Sequence, residues 1–297
     1  MSRQTVHTDD HAELNVEVIG SPDAPTTVVF THGWTLAGGL WDDVVAGLHS
    51  ELGAHVRTVA LDARGHGASS GGPVGSATLP RLAADLKKVI EVCAPDGDLV
   101  LVGHSLGGMV LMALAEHWPD LLAERVSGVV FASTSSGALW SPVKHLPGFI
   151  SAAPWVLRLN RPHLMKNTGL TRLLMRRRLY GGAASRSHLE ETIEQMRSVD
   201  ATVMADLGIA LLLHERSHLL SAFDSIPTVV LSGSKDRLTR TRHSRRIAEG
   251  IAGALLLEEP SAGHIIPHER PAVVIREVGV LVRANSARAR ELQAVPA

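Results

Sequence analysis

Cysteine is nearly missing from this sequence, and neither sign of charge is in excess. With Cys93 as its one cysteine, the chain can form no disulfide within itself and no zinc site built on several cysteines. This usage fits a reducing compartment, and we expect a cytoplasmic location. A formal net charge of −1 over 297 residues gives no overall reason to expect a nucleic-acid partner.

Long uninterrupted apolar runs are missing as well. Residues 1–14 are polar and lack the apolar stretch of a signal peptide. The longest apolar region, 99–115, is broken by a histidine, a serine and glycines, so it predicts a buried strand followed by a buried helix. We therefore expect no membrane span. With 45% hydrophobic residues, the chain can still form a large core.

Short apolar strands alternate with helical patterns along most of the chain. Each strand is apolar on both faces, which is typical of a parallel sheet covered on both sides by helices. The alternation stops at about 136–222, where the pattern is helical only and contains Pro142, Pro147, Pro154 and Pro162. We predict an α/β fold with a mostly parallel central sheet. Residues 1–135 and 223–297 would form its core, and 136–222 a helical cap.

A serine flanked by glycines follows one of these strands, in the sequence Gly103-His104-Ser105-Leu106-Gly107. Between a strand and a helix, this pattern predicts a strained turn that projects the serine hydroxyl above the sheet. The glycines are needed because a side chain two residues from the serine would collide with the neighbouring chain. Alternatively, the same residues could form an ordinary turn in which Ser105 caps the helix.

A nucleophilic serine needs a histidine to take its proton. The chain has 16 histidines, so the base has to be selected by its position relative to the predicted strands. His264 follows the last apolar strand in a loop opened by Gly263, and His268 is the alternative. Among the carboxylates, Asp236 follows the strand TVVLSG in the sequence Gly233-Ser234-Lys235-Asp236 and could orient the histidine. Asp224 precedes that strand, so we expect it at the opposite edge of the sheet.

Two backbone amides are candidates for an oxyanion hole. Trp34 follows a strand in the sequence His32-Gly33-Trp34, and the glycine permits a close approach of the chain. Leu106 begins the helix after the serine. Preorganised N–H donors of this kind are worth about 3 kcal/mol each when negative charge develops on a carbonyl oxygen. The alternative is an ordinary turn at the end of the strand, with Trp34 in the core.

Together, these motifs resemble those of α/β-hydrolase-fold enzymes of the esterase, lipase and cofactor-free haloperoxidase type. The resemblance covers about 11–135 and 223–284, and includes the Asp-Ala-Arg-Gly-His-Gly-Ala-Ser stretch at 62–69, which forms a structural turn in such families. It implies a triad of Ser105, Asp236 and His264, with no cofactor and no metal. Epoxide hydrolases and haloalkane dehalogenases of this fold carry aspartate where this chain has serine, so the resemblance implies chemistry on carboxylic esters.

Other activities of the same fold remain open: a carbon–carbon bond hydrolase, a perhydrolase, or a ligand receptor with little turnover. We expect a small ester substrate with an apolar acyl group. Apolar residues of the cap could line its pocket or form the cap's own core: Trp140, Phe149, Trp155, Met165, Leu173, Leu174, Met175, Met196 and Met204. Nine basic residues and no acidic one lie between Lys144 and Arg186. They could attract anionic substrates or lipid surfaces, although a solvated helix face is the preferred interpretation.

Overall fold

The computed structural model describes residues 2–139, 166–182 and 184–294, with side chains up to residue 285. Several residues singled out in the sequence lie outside these ranges: Trp140, Pro142, Pro147, Phe149, Pro154, Trp155, Pro162 and Met165.

An eight-stranded sheet forms the centre of the described chain. Its strands are β1 (Ser2–His7), β2 (Glu13–Ile19), β3 (Thr26–Thr31), β4 (Val56–Leu61), β5 (Asp98–His104), β6 (Val126–Ala132), β7 (Thr228–Gly233) and β8 (Leu255–Glu259). Their order across the sheet is β1-β2-β4-β3-β5-β6-β7-β8. The pairs β1–β2 and β2–β4 are antiparallel, and the other neighbouring pairs are parallel. The predicted mostly parallel sheet is confirmed, with β1 as an additional edge strand.

Helices cover both faces of this sheet. Those described are α1 (Asp42–Leu52), α2 (Leu79–Cys93), α3 (Leu106–His117), α4 (Pro119–Arg125), α5 (Gly169–Leu179), α6 (Arg186–Ser198), α7 (Ala201–Leu213), α8 (Thr241–Gly250), α9 (Ile266–Glu269) and α10 (Pro271–Ala294). On one face, α2 and α3 pack onto the sheet through Leu86 and Met109. On the other, α1 and α10 pack through Leu48 and Val278. Because β3 and β7 are buried at every position, their sequences are continuous runs rather than alternating ones.

The described residues between β6 and β7 form the helices α5, α6 and α7 and a short 3-10 helix at Ser217–Phe223. Leu173 and Leu174 of α5 are 45% and 51% exposed, so these two do not form the core of this segment. The arginines 176–178 on the same helix are exposed too, as the solvated-face interpretation predicts. Met204 of α7, in contrast, is buried. Among the described residues, no helix is long and apolar enough to cross a membrane.

The carboxyl ends of the parallel strands meet at one edge of the sheet, and the candidate residues follow them. Ser105 comes directly after β5, and Trp34 lies three residues beyond the end of β3. Asp236 and His264 follow β7 and β8. In open α/β sheets, ligands bind beyond this edge. The topology therefore brings residues that are far apart in sequence to the same side of the molecule.

Candidate active site

Ser105 occupies a strained turn between β5 and α3. Its backbone has φ of 51° and ψ of −113°, a left-handed conformation that costs a residue with a side chain about 1–3 kcal/mol. Two hydrogen bonds from outside α3 hold it there, in addition to those that its carbonyl accepts from the Gly108 and Met109 N–H groups of the helix. Its N–H donates to the Ala132 carbonyl at 2.9 Å, and its carbonyl accepts from Thr134 Oγ1 at 2.6 Å. The Ser105 side chain makes no capping hydrogen bond to α3, so capping does not explain the residue.

The glycines around Ser105 are required by close contacts with backbone. A Cβ atom on Gly103 would lie 2.6 Å from the Gly108 nitrogen, and one on Gly107 would overlap the Thr31 carbonyl oxygen. Neither neighbour can move without shifting a strand or a helix. The structure thus confirms the reason that the sequence pattern gave for these glycines.

Replacing Gly107 with alanine is expected to lower the free energy of unfolding by about 2 kcal/mol, because the new methyl group overpacks against the Thr31 backbone. In a chain of this size, that corresponds to a fall in Tm of about 3 °C, measured by circular dichroism. Gly169→Ala is the matched control, since nothing lies within 4 Å of its new Cβ. An unchanged Tm for Gly107→Ala would show that the turn can relax.

His264 and Asp236 form a buried hydrogen-bonded pair. The distance between His264 Nδ1 and Asp236 Oδ2 is 2.8 Å. The other carboxylate oxygen, Oδ1, accepts from the backbone N–H groups of Leu238 and Thr239 at 2.7 and 3.0 Å. Burial raises the pKa of Asp236, but the charge of His264 and the hydrogen bonds to the carboxylate outweigh this, so the pKa lies below its ordinary value. Asp236 is therefore an anion that fixes the proton of His264 on Nδ1.

The backbone of His264 is held on both sides. Its N–H donates to the Leu179 carbonyl at 2.7 Å. Its carbonyl accepts a hydrogen bond from Nε2 of His104, the residue before Ser105, at 2.9 Å, and the two imidazole rings are 4.9 Å apart. Burial lowers the pKa of His104 to about 3, so this ring is neutral. His104 thus connects the histidine loop directly to the serine turn.

The alternative residues lie in different surroundings. Nδ1 of His268 is 3.0 Å from the Tyr180 hydroxyl, and its ring stacks on His188 at 4.3 Å. Burial, with the nearby His188, lowers the pKa of His268 to about 3. Asp224 is exposed and accepts a hydrogen bond from the backbone N–H of Ala252. Both residues thus have local structural partners, and neither is paired with the other candidates.

Trp34 lies in a loop whose start is held by a neutral histidine. His32 Nε2 accepts a hydrogen bond from the Ala63 N–H at 2.9 Å, so its proton is on Nδ1, which donates to the Gly33 carbonyl at 2.8 Å. Burial lowers the pKa of His32, consistent with this neutral form. A Cβ on Gly33 would lie 3.3 Å from the Ser105 Cβ, so this backbone passes directly against the serine.

The turn at 62–69 supports the same loop. His66 Nε2 accepts from the Thr35 N–H at 3.2 Å, and burial lowers its pKa to about 3. Asp62 Oδ1 accepts from the Gly38 N–H at 2.7 Å. Arg64 is fully buried and makes ion pairs with Asp85 and Asp10. The structural role expected for this stretch is confirmed, and its effect is to position the residues around Trp34.

Sequence reasoning missed two contacts of the pair. His104 is named in the glycine-serine motif, but its contact with His264 joins residues 160 positions apart. Thr239 Oγ1 lies 2.8 Å from Asp236 Oδ2 and 2.8 Å from the Ser133 carbonyl. A threonine three residues after an aspartate in a turn is the signal that could have indicated the second contact.

With this geometry in place, comparison with known proteins identifies the class. The family model described as the alpha/beta hydrolase family matches residues 28–277. The chain therefore belongs to the alpha/beta hydrolase family, as its motifs predict.

Particular relatives are esterases. A pimeloyl-[acyl-carrier protein] methyl ester esterase from Chromobacterium violaceum is 26% identical over 279 residues, which cover 88% of this chain and 95% of the relative. Among solved structures, a thermophilic esterase from Thermogutta terrifontis has a TM-score of 0.76 at 25% identity, covering 96% of this chain and 99% of that one. A bromoperoxidase from Bacillus anthracis has a TM-score of 0.78 at 19% identity, over 95% of this chain and 100% of its own, which shows the shared fold alone.

Proposed function

We propose that the protein is a serine hydrolase of carboxylic esters in which Ser105 is the nucleophile, His264 the base and Asp236 the orienting acid. The observation that carries the proposal is the 2.8 Å hydrogen bond between His264 and Asp236, at the sheet edge where Ser105 is held in its strained turn. The esterase relatives support the same class of reaction.

The position of the proton on His264 determines which of its two ring nitrogens acts as the base. Because the Asp236 carboxylate holds a proton of His264 on Nδ1, Nε2 is the ring nitrogen whose lone pair accepts the Ser105 proton. The serine oxygen then attacks the ester carbonyl, and the imidazolium returns its proton to the departing alcohol. Water, activated by the same histidine, cleaves the acyl-enzyme and regenerates Ser105.

The oxyanion of each tetrahedral intermediate would be held by the amides of Leu106 and Trp34. Leu106 begins α3, where backbone N–H groups have no acceptor within the helix and the helix dipole favours negative charge. The Trp34 amide follows Gly33, whose backbone lies against Ser105. Each donor is worth about 3 kcal/mol in the transition state.

The segment 136–222 is proposed as a cap on a core of 1–135 and 223–297. Its described part reaches the candidate site twice. The Trp34 indole N–H donates to the Met204 carbonyl at 3.1 Å, and the Leu179 carbonyl accepts from the His264 N–H. A cap in contact with both loops is placed to cover the ester, and we propose a small ester with an apolar acyl group as the substrate.

The test is a series of p-nitrophenyl esters with acyl chains of two to twelve carbons, each compared with a sample pretreated with a fluorophosphonate, which blocks an activated serine. We expect burst kinetics and a kcat/KM that changes systematically with chain length, and pretreatment should abolish turnover. No turnover above the treated sample for any ester would refute the proposal. Turnover of a vinylogous diketone acid in its place would indicate carbon–carbon bond cleavage.

A further inference from the structure

Glu269 is a buried carboxylate that the mechanism above does not use. It ends the short helix α9, five residues after His264, and is 6% exposed. Its two oxygens bind backbone N–H groups of two different segments. Oε1 accepts from Gly263 at 2.7 Å and Oε2 from Gly181 at 2.8 Å. One carboxylate therefore bridges the histidine loop and the linker between α5 and α6.

The two bridged segments also touch through their backbones. We use the term linker for Leu179, the last residue of α5, together with Tyr180 and Gly181, which follow it. A Cβ on Gly263 would lie 2.5 Å from the Tyr180 carbonyl carbon, and a Cβ on Gly181 would overlap Ser261. No side chain fits between the linker and the histidine loop. A small shift of the linker would consequently be transmitted to the loop.

We propose that Glu269 is a positioning residue that holds the backbone of His264 at the distance from Ser105 that proton transfer requires. The inference rests on the proposed role of His264 as the base. The N–H groups on both sides of the Gly263–His264 bond are anchored, one by Glu269 and the other by the linker carbonyl of Leu179. With both N–H groups anchored, the His264 ring can move only by rotation about its side-chain bonds. The hydrogen bond from Nδ1 to Asp236 fixes that rotation.

The chemistry of the bridge requires a carboxylate. Two N–H donors need two acceptor oxygens, and hydrogen bonds to an ionised acceptor are stronger than neutral ones. A glutamine has the same shape but only one oxygen. Its NH₂ group would face either the Gly263 or the Gly181 N–H, so one of the two segments would lose its anchor.

A second contact between the linker and the loop region does not involve Glu269. The Tyr180 hydroxyl is 3.0 Å from His268 Nδ1 and 2.8 Å from Thr192 Oγ1. This contact should keep α5 and α6 docked when Glu269 is replaced. We therefore expect a folded variant with a mispositioned histidine rather than an unfolded chain.

The experiment compares Glu269→Gln with Glu277→Gln, a matched loss of a buried carboxylate that lies on α10 and pairs with Arg276. For p-nitrophenyl acetate, we expect Glu269→Gln to lower kcat about 10- to 100-fold with KM within twofold of wild type, because sub-ångström misplacement of a base affects the chemical step. Glu277→Gln should retain wild-type kcat. Equal kcat values for Glu269→Gln and wild type would overturn the proposal.

A measurement without turnover separates this proposal from the proposed function. The proton between His264 Nδ1 and Asp236 gives a downfield ¹H resonance, assigned by its loss in Asp236→Asn. We expect Glu269→Gln to shift or broaden it and Glu277→Gln to leave it unchanged. An unaltered resonance in Glu269→Gln would refute positioning by Glu269 even if the wild-type chain cleaved no ester. If Glu269→Gln does not fold, Glu269→Asp, which keeps the charge but reaches one amide, should show the same changes more weakly.

Discussion

Replacing Ser105 with alanine is expected to lower kcat for p-nitrophenyl ester hydrolysis by at least about 10⁴-fold, because the residue whose oxygen forms the acyl-enzyme is removed. Substrate binding does not depend on the hydroxyl, so the Kd for an uncleaved ester analogue should stay within about threefold. The backbone strain at position 105 is the same for alanine as for serine. We therefore expect the Tm to be preserved, which makes the loss of activity a chemical effect.

Ser133 offers a matched control for this substitution. It follows β6 as Ser105 follows the neighbouring β5, it is fully buried, and its φ of 46° is close to the 51° of Ser105. Ser133→Ala should therefore retain the activity of the wild type. Turnover in Ser105→Ala within tenfold of wild type would eliminate Ser105 as the nucleophile and leave the turn without a catalytic explanation.

Acid is expected to unfold the protein at a pH where most carboxylates are still ionised. Burial lowers the pKa of seven described histidines in the folded state: His32, His49, His66, His104, His214, His243 and His268. The values are about 3 for three of them and about 4 for His214. In the unfolded chain, each histidine binds a proton below a pKa of about 6.5. As the pH falls below that value, protonation therefore favours the unfolded state, until the folded pKa is reached.

The expected loss in the free energy of unfolding is comparable with the total free energy of unfolding of a domain. Each of the four histidines with a stated value costs about 1.4 kcal/mol per pH unit below 6.5, or about 2 kcal/mol at pH 5, which gives about 8 kcal/mol together. Typical stabilities are about 5–15 kcal/mol.

Urea unfolding at pH 7, 6, 5.5 and 5 measures this loss. His117→Gln, at an exposed position, serves as the control and should show the wild-type slope. A free energy of unfolding that is constant between pH 6.5 and 5 would show that these histidines are already charged in the folded protein.

The parallel part of the sheet could be predicted from the sequence, because strands buried on both faces appear as continuous apolar runs. It did not predict β1, in which Val6 is the one fully buried residue and the others are polar or partly exposed. In a parallel sheet, residues that follow the strands lie at the same edge. This is why Ser105, Asp236 and His264 could be selected among many serines, aspartates and histidines.

The supporting contacts could not be derived in this way. Glu269 binds Gly181 across 88 residues, and His104 contacts His264 across 160. Periodicity reports which face of an element is buried, but not which loop packs against which. Predicting these contacts requires the path of the linker after α5, and that path is set by tertiary packing.

The glycine contacts near His264 have a consequence for how this enzyme can diversify. A Cβ on Gly233 would lie 2.5 Å from the Ala262 carbonyl oxygen, and Gly181 and Gly263 are equally crowded by backbone. These three positions form a main-chain stack next to Asp236, His264 and the linker. We expect few mutations to accumulate there, because any side chain at these positions would collide with backbone. We therefore expect selection for a new ester to act on side chains farther out in the segment between β6 and β7, which would leave the proposed proton-transfer residues unchanged while the specificity changes.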